Sequence, residues 1–278
     1  MSRYNRRVLR GMVLSLLLVV AAGCASGPMH DGRSAMRRGE FEIAARHFRT
    51  AAEQHPDEPA PWMALGRAEM AALRYARARD AFQHLALVRP QSAGPRILIG
   101  NTWELQRDYD EALEAYRMAC AIQPTAARPW RVLGTRLLRW GRAADAVTAL
   151  ARAVELGPDH AETWNALAMA RYHADDVAGA RTTFTEGTAR FPDHLGLRLG
   201  LAALLVNAGE HAEALAVYDA IVGMRPDFAA AHVGRALLLD ALGRPREALA
   251  AFERAAVVSG NAPSYLERVA AYRQRMAP

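Results

Sequence analysis

Lysine is absent: all 35 basic residues of the 278-residue chain are arginine. They are scattered rather than massed, which points to genomic base composition rather than chemistry. Against 29 acids they give a net charge of +6. Arg3, Arg6, Arg7 and Arg10 precede every acid, and without those four the balance is 35 less 4 against 29, or +2. A chain so near neutral, with no basic stripe, argues against nucleic acid as a partner. Cysteine is almost absent too. Cys24 and Cys120 are the two in the chain, which excludes a disulfide framework. Cys120 is expected as a buried small hydrophobe among Met118, Ala119 and Ile122, with no positive cluster to stabilise a thiolate.

Catalytic signatures are missing as well. The nine histidines are scattered, and none pairs at metal spacing with a glutamate. His160 and His194 recur at one point of a repeat and read as turn residues. Asp175 and Asp176 are solvated turn acids. No nucleophile elbow, phosphate-binding loop or dinucleotide fingerprint occurs. The expectation is a protein that is not an enzyme and holds no cofactor and no metal.

One hydrophobic run exists, Val8 to Val20, broken by Arg10, Gly11 and Ser15. It falls short of the about 20 apolar residues of a spanning helix. With arginines before it and Ala21, Ala22 and Gly23 after it, residues 1–23 read as a secretory signal. The stretch Ala21-Ala22-Gly23-Cys24 resembles the lipobox of bacterial lipoproteins, whose cysteine is acylated and becomes the first mature residue. The resemblance implies palmitate-type lipidation at Cys24, membrane attachment through that anchor only, and, with neutral Ala25 next, residence at the periplasmic face of the outer membrane. Each buried acyl CH₂ contributes about 0.8 kcal/mol to such an anchor. Residues 24–31, rich in glycine with one proline, form a short tether.

What the chain has in abundance is rhythm. Pro56, Pro90, Pro124, Pro158, Pro192 and Pro226 are spaced 34 residues apart, with Gly260 in the next slot. Such a period marks a repeat architecture. With repeats beginning at 25, 59, 93, 127, 161, 195 and 229, position 8 is always Gly or Ala, position 20 always Ala, and position 24 always large: Phe48, Phe82, Tyr116, Leu150, Phe184, Tyr218, Phe252. Positions 4, 7, 8 and 11 share one face of a first helix, and 20, 24 and 27 one face of a second. Small residues at 8 and 20 let the two helices approach, and Trp62, Trp130 and Trp164 at position 4 are expected to bury large areas. Glycine in Gly39-Glu40-Phe41 and its equivalents ends the first helix. The proline ends the second, and Asp159, Asp193 and Asp227 are expected to cap the next.

Trp130, Leu133 and Gly134, with the positions above, resemble the tetratricopeptide repeat. The resemblance implies an all-α, right-handed α-solenoid of about seven helix-turn-helix repeats over 32–262, with 263–278 as a capping helix carrying Tyr265, Val269 and Tyr272. The first helix, holding Gly27, Pro28 and Gly32, is expected to be short. Repeats five to seven depart from the pattern in lacking glycine at position 8.

The resemblance also implies that positions 2, 5, 9, 12 and 13 face a concave groove that binds a protein or peptide partner. In repeats three to five these include Asn101, Glu104, Arg128, Arg131, Arg139, Asn165, Met169, Tyr172 and His173, able to grip a backbone or a carboxylate. In repeats six and seven they are Leu199, Ala203, Val206, Val233 and Leu237, suited to an amphipathic helix. The carboxylate clamp of some repeat proteins is absent: Asn101 has Ile97 where the base belongs, and Arg128 and Arg131 are followed by Thr135. Lipoproteins of this build resemble those serving tight-adherence (Flp) and type IV pili, where a secretin or another pilus assembly component is the partner. The alternative is an adaptor recruiting peptidoglycan or envelope-polysaccharide enzymes. Self-association as a homo-oligomer is compatible with either.

Overall fold

A computed structural model of the chain describes residues 27–277. The expected leader and Cys24 lie outside the described residues. Those residues hold fifteen α-helices and no strand, in two compact units divided between Thr125 and Ala126. The first unit contains α1 (Pro28–Arg37), α2 (Phe41–Gln54), α3 (Pro59–Ala71), α4 (Tyr75–Val88), α5 (Gly94–Gln106) and α6 (Tyr109–Ile122). The second contains α7 (Ala127–Arg139), α8 (Ala143–Leu156), α9 (Ala161–His173), α10 (Val177–Arg190), α11 (Leu195–Asn207), α12 (His211–Met224), α13 (Ala229–Ala241), α14 (Pro245–Val258) and α15 (Pro263–Met276). Within each unit every helix packs on its neighbours in the chain, and α9 also lies beside both α7 and α11. This is an α-solenoid, in which contact is local and each hairpin buries against the next.

The turn between the helices of a hairpin has one conformation in all seven repeats. Position 15 is left-handed, with φ of 74°, 77°, 76° and 72° at Gly39, Gly141, Gly209 and Gly243, and of 59°, 67° and 62° at Leu73, Arg107 and Asp175. The next N–H then reaches back to the carbonyl of position 11, as from Arg74 to Glu69 (2.8 Å) and Arg142 to Leu137 (2.9 Å). That bond satisfies a carbonyl the helix end would otherwise leave open. Leu73 takes up the left-handed backbone at about 1–2 kcal/mol relative to glycine, and with 71% of its surface exposed it recovers little by packing.

Two expectations about the turn between repeats need correction. Asp159, Asp193 and Asp227 do not cap the following helices. The residue at the cap is His160, His194 or Phe228, and of these His194 accepts from the N–H of Leu197. The cap falls one residue later because the aspartate still belongs to the turn after proline. Nor are the tryptophans at position 4 simply buried bulk. They are half-buried, and Trp62 and Trp164 each donate Nε1–H to the carbonyl of the turn proline six residues earlier, Pro56 and Pro158, at 2.8 Å. Arg198 donates to Pro192 in the same way (2.8 Å), and the His232 ring nitrogen meets Pro226 (3.0 Å). Position 4 thus supplies a ring or guanidinium nitrogen that ties down a carbonyl left without a helical partner.

The core is a series of small clusters. Ala44, Ala78, Ala112, Ala146, Ala180, Ala214 and Ala248, all at position 20, expose no surface (0%). In the first four repeats the large residue at 24 lies across the glycine at 8 of its own hairpin. A Cβ on Gly66 would come within 2.3 Å of Phe82, and one on Gly100 within 2.6 Å of Tyr116. In repeats five and six position 8 is alanine, and the close approach moves. Phe184 lies against Gly200 and Tyr218 against Gly234, where a Cβ would meet the ring at 2.3 and 2.4 Å. Both glycines stand at position 6 of the following repeat, so the ring is accommodated by the next hairpin instead of its own. The last hairpin is covered by α15, whose Val269 and Tyr272 join its cluster. Cys120 is buried beside Ala119, whereas Met118 stands exposed on another face. Burial pushes the Cys120 thiol up to about 11, so the sulfur is a packing atom.

Gly200→Ala and Gly223→Ala are expected to act with opposite sign. Nothing lies within 4 Å of a Cβ on Gly223, so alanine there gains helix propensity of up to about 1 kcal/mol. At Gly200 the same methyl is driven into Phe184, and overpacking costs about 1–3 kcal/mol. Urea denaturation of the two variants against the parent measures both.

Candidate functional site

The expected groove residues are carried on the first helices of repeats three to five, and the two units present them separately. In the first unit Asn101 and Glu104 lie one turn apart on α5 and converge on one atom. The buried Tyr116 hydroxyl lies 2.8 Å from Asn101 Oδ1 and 3.1 Å from Glu104 Oε2. A single hydroxyl has one proton, so the pair shares it. Beside them Arg79 stacks on Trp103, its guanidinium carbon 3.4 Å from the ring centre. The tyrosine at position 24 therefore does more than fill space: it orients two polar groups at the helix surface.

In the second unit Arg128 and Arg131 lie on α7, exposed and half-exposed respectively, and Arg139 is exposed in its last turn. Asn165 on α9 sits beside Gly196, its Nδ2 3.8 Å from where a Cβ on that glycine would be. Position 5 of one repeat thus borders position 2 of the next. Met169 and Tyr172 are partly buried against the cluster of Phe184, Leu197 and Leu204. They serve packing as well as surface. Asn207 on α11 donates Nδ2–H to the Tyr172 hydroxyl (3.0 Å), and the His173 ring meets Tyr172 edge-on at 5.8 Å. Asn165, Met169, Tyr172 and His173 thus belong to one surface with Asn207. That partner went unread in the sequence because Asn207 stands 35 residues on, one repeat plus one residue.

The apolar set is divided. Val206 and Leu237 are exposed, 38% and 54%, while Leu199 and Val233 are half-buried. The surface near it also carries a charge. Asp240, at position 12 of repeat seven, accepts from the Tyr272 hydroxyl (2.7 Å) and from Arg275, both on α15. Those two donors, the hydroxyl first, hold its carboxyl below the usual carboxylate range. A position read as partner-facing is here occupied by the chain's own last helix. Among the described residues no group of acids, histidines and cysteines could hold a metal ion, and no helix is long and apolar enough to cross a membrane.

The family profile "Tetratricopeptide repeat" matches residues 31–95, 63–127 and 131–194, and a second profile of the same description matches 171–238. The chain belongs to the tetratricopeptide repeat family, a scaffold suited to protein–protein interaction. No curated protein gives a significant match. Among solved structures, a tetratricopeptide repeat protein fragment from Cytophaga hutchinsonii aligns with TM-score 0.68 and 11% identity, over 86% of this chain and 98% of that one. PilF of Pseudomonas aeruginosa aligns with TM-score 0.56 and 19% identity, over 76% and 96%. MamA aligns with TM-score 0.54 and 23% identity, over 58% and 95%. At these identities the likeness is one of fold.

Tyr116→Phe is expected to keep the ring in place and remove the shared proton. A net hydrogen bond contributes about 0.5–1.5 kcal/mol, so the unfolding free energy should fall by about that amount in urea titration. An unchanged value would mean that Asn101 and Glu104 are not held from below.

Proposed function

We propose that this protein is a lipid-anchored periplasmic scaffold, attached to the outer membrane through Cys24, which binds another protein through the exposed face of its first helices. The observation that carries the reading is the chemistry of that face in the second unit. Arg128 and Arg131 stand at the surface of α7, Asn165 lies on α9, which packs beside α7, and Tyr172 and His173 follow about two turns further on. This set offers paired donors to carboxylate and backbone groups together with flat apolar area, the mixture that interfaces favour. The more specific version is an assembly factor for a pilus or secretion machine, with a secretin or pilus component as partner. It draws support from the resemblance of a lipidated repeat solenoid to pilus-assembly lipoproteins and from the likeness of fold to PilF of Pseudomonas aeruginosa.

Two outcomes test the parts separately. Arg131→Ala combined with Asn165→Ala should lower recovery of the partner in affinity capture at least about tenfold, the loss of one charge-assisted contact, with an unchanged melting temperature. Undiminished capture would move the binding face elsewhere. Cys24→Ser should release the protein from the membrane fraction and abolish palmitate labelling; retention of the label would end the claim of a lipid anchor.

A further inference from the structure

Position 11 of the repeat is buried in five repeats and half-buried, as Trp103 and Arg171, in repeats three and five. It holds the buried Leu137, Leu205 and Leu239 in repeats four, six and seven. In repeat two it holds Glu69, of which 1% is exposed. Burying a carboxylate is costly unless both oxygens are paired. Here one is: Arg49 Nη2 donates to Glu69 Oε1 at 2.6 Å. The other, Oε2, is buried and accepts no hydrogen bond. The nearest cation, Arg74, stands 3.9 Å from it and is shared with Glu42 at 3.7 Å.

Glu69 lines a cleft of about 270 Å³ between α2, the end of α3 and the start of α4. Its walls carry four arginines, Arg46, Arg49, Arg74 and Arg77, against two acids, Glu42 and Glu69. The lining therefore has a net charge of +2. Arg46 and Arg77 are exposed and enter no ion pair among the described residues. The cleft asks two things of an occupant: anionic acceptor oxygens for the arginines, and one hydrogen-bond donor for Glu69 Oε2. Fully deprotonated anions such as sulfate meet the first demand and violate the second, since their oxygens would face a carboxylate. A simple cation or ammonium meets the second and is repelled by the arginines. Hydrogen phosphate meets both, with three acceptor oxygens, one O–H and a charge equal and opposite to that of the lining.

We propose that this cleft is a binding site for inorganic hydrogen phosphate, with Glu69 Oε2 accepting its proton in a hydrogen bond and Arg46 and Arg77 closing on the remaining oxygens. The site is built from none of the residues proposed above for partner binding.

Calorimetric titration of the full chain in a phosphate-free buffer at neutral pH tests it, with potassium phosphate, potassium sulfate and glycerol 3-phosphate at matched ionic strength. Phosphate should bind about tenfold or more tightly than sulfate, the worth of one charge-assisted hydrogen bond gained against one repulsion. Arg46→Gln and Arg77→Gln should each weaken phosphate about tenfold. Glu69→Gln should erase the preference over sulfate, because an amide donates where a carboxylate cannot. Should that variant lose its helical circular dichroism, the two surface arginine variants carry the test. Glycerol 3-phosphate, whose ester-linked phosphate is mostly the proton-free dianion at neutral pH, should bind about as weakly as sulfate; binding as tight as that of phosphate would contradict the role of the Glu69 hydrogen bond. Equal binding of sulfate and phosphate, absence of binding, or phosphate binding untouched in both arginine variants would overturn the proposal.

Discussion

The structure depends on one contact made in six of the seven repeats, a large side chain at position 24 lying against a backbone stripped of side chain, while Phe252 of the seventh packs on Tyr272 of α15. Position 20 brings the two helices of a hairpin together through an alanine that is wholly buried in every repeat. The ring or leucine at 24 then has nowhere to go except over a residue with no Cβ. Interiors at this packing density do not absorb an extra methyl cheaply. Removing glycine from one face therefore requires its return on another. That exchange is what Gly200 and Gly234 perform in repeats six and seven, where a Cβ would meet Phe184 and Tyr218 at 2.3 and 2.4 Å.

A stack built this way keeps its binding chemistry on the outside. The inner faces of both helices are committed to neighbours. Surface groups fall into those that tie repeats together and those that remain for a ligand. Arg181 is of the first kind, reaching Glu210 at 2.6 Å and Glu213 at 2.7 Å on the following hairpin. Such exposed pairs contribute little stability individually, and their effect is to fix how one hairpin sits on the next. Arg128 and Arg131 stand at the surface, and are the groups we propose for the second role, while Tyr172 and Met169 also pack against the cluster of Phe184, Leu197 and Leu204.

Much of the fold was legible in the sequence because its cause is periodic. A fixed spacing of prolines, and small residues at 8 and 20, state the hairpin without reference to anything distant. What escaped reading is what crosses repeats or changes meaning with chemistry. Alanine at position 8 of repeats five and six looked like a departure, because the compensating glycine stands at position 6 of the next repeat. Tryptophan at position 4 looked like bulk, and only its replacement by Arg198 and His232, which meet the same proline carbonyl, shows that the nitrogen matters. The residues expected to face a partner do lie on the first helices of repeats three to five. The sequence did not show that Tyr116 holds Asn101 and Glu104, or that α15 takes Asp240 for itself. Glu69 carried a signal, a charge in a slot that takes leucine in three other repeats, yet its unpaired oxygen is visible only in three dimensions.

The central functional claim is that the face formed by the first helices, and not the opposite one, meets the partner. A photo-crosslinking amino acid placed in living cells at position 128, on the exposed surface of α7, tests this against the same group at position 117, on the exposed surface of α6. The account predicts a covalent adduct to another protein from position 128 and none from 117. Adducts from 117 alone would contradict it.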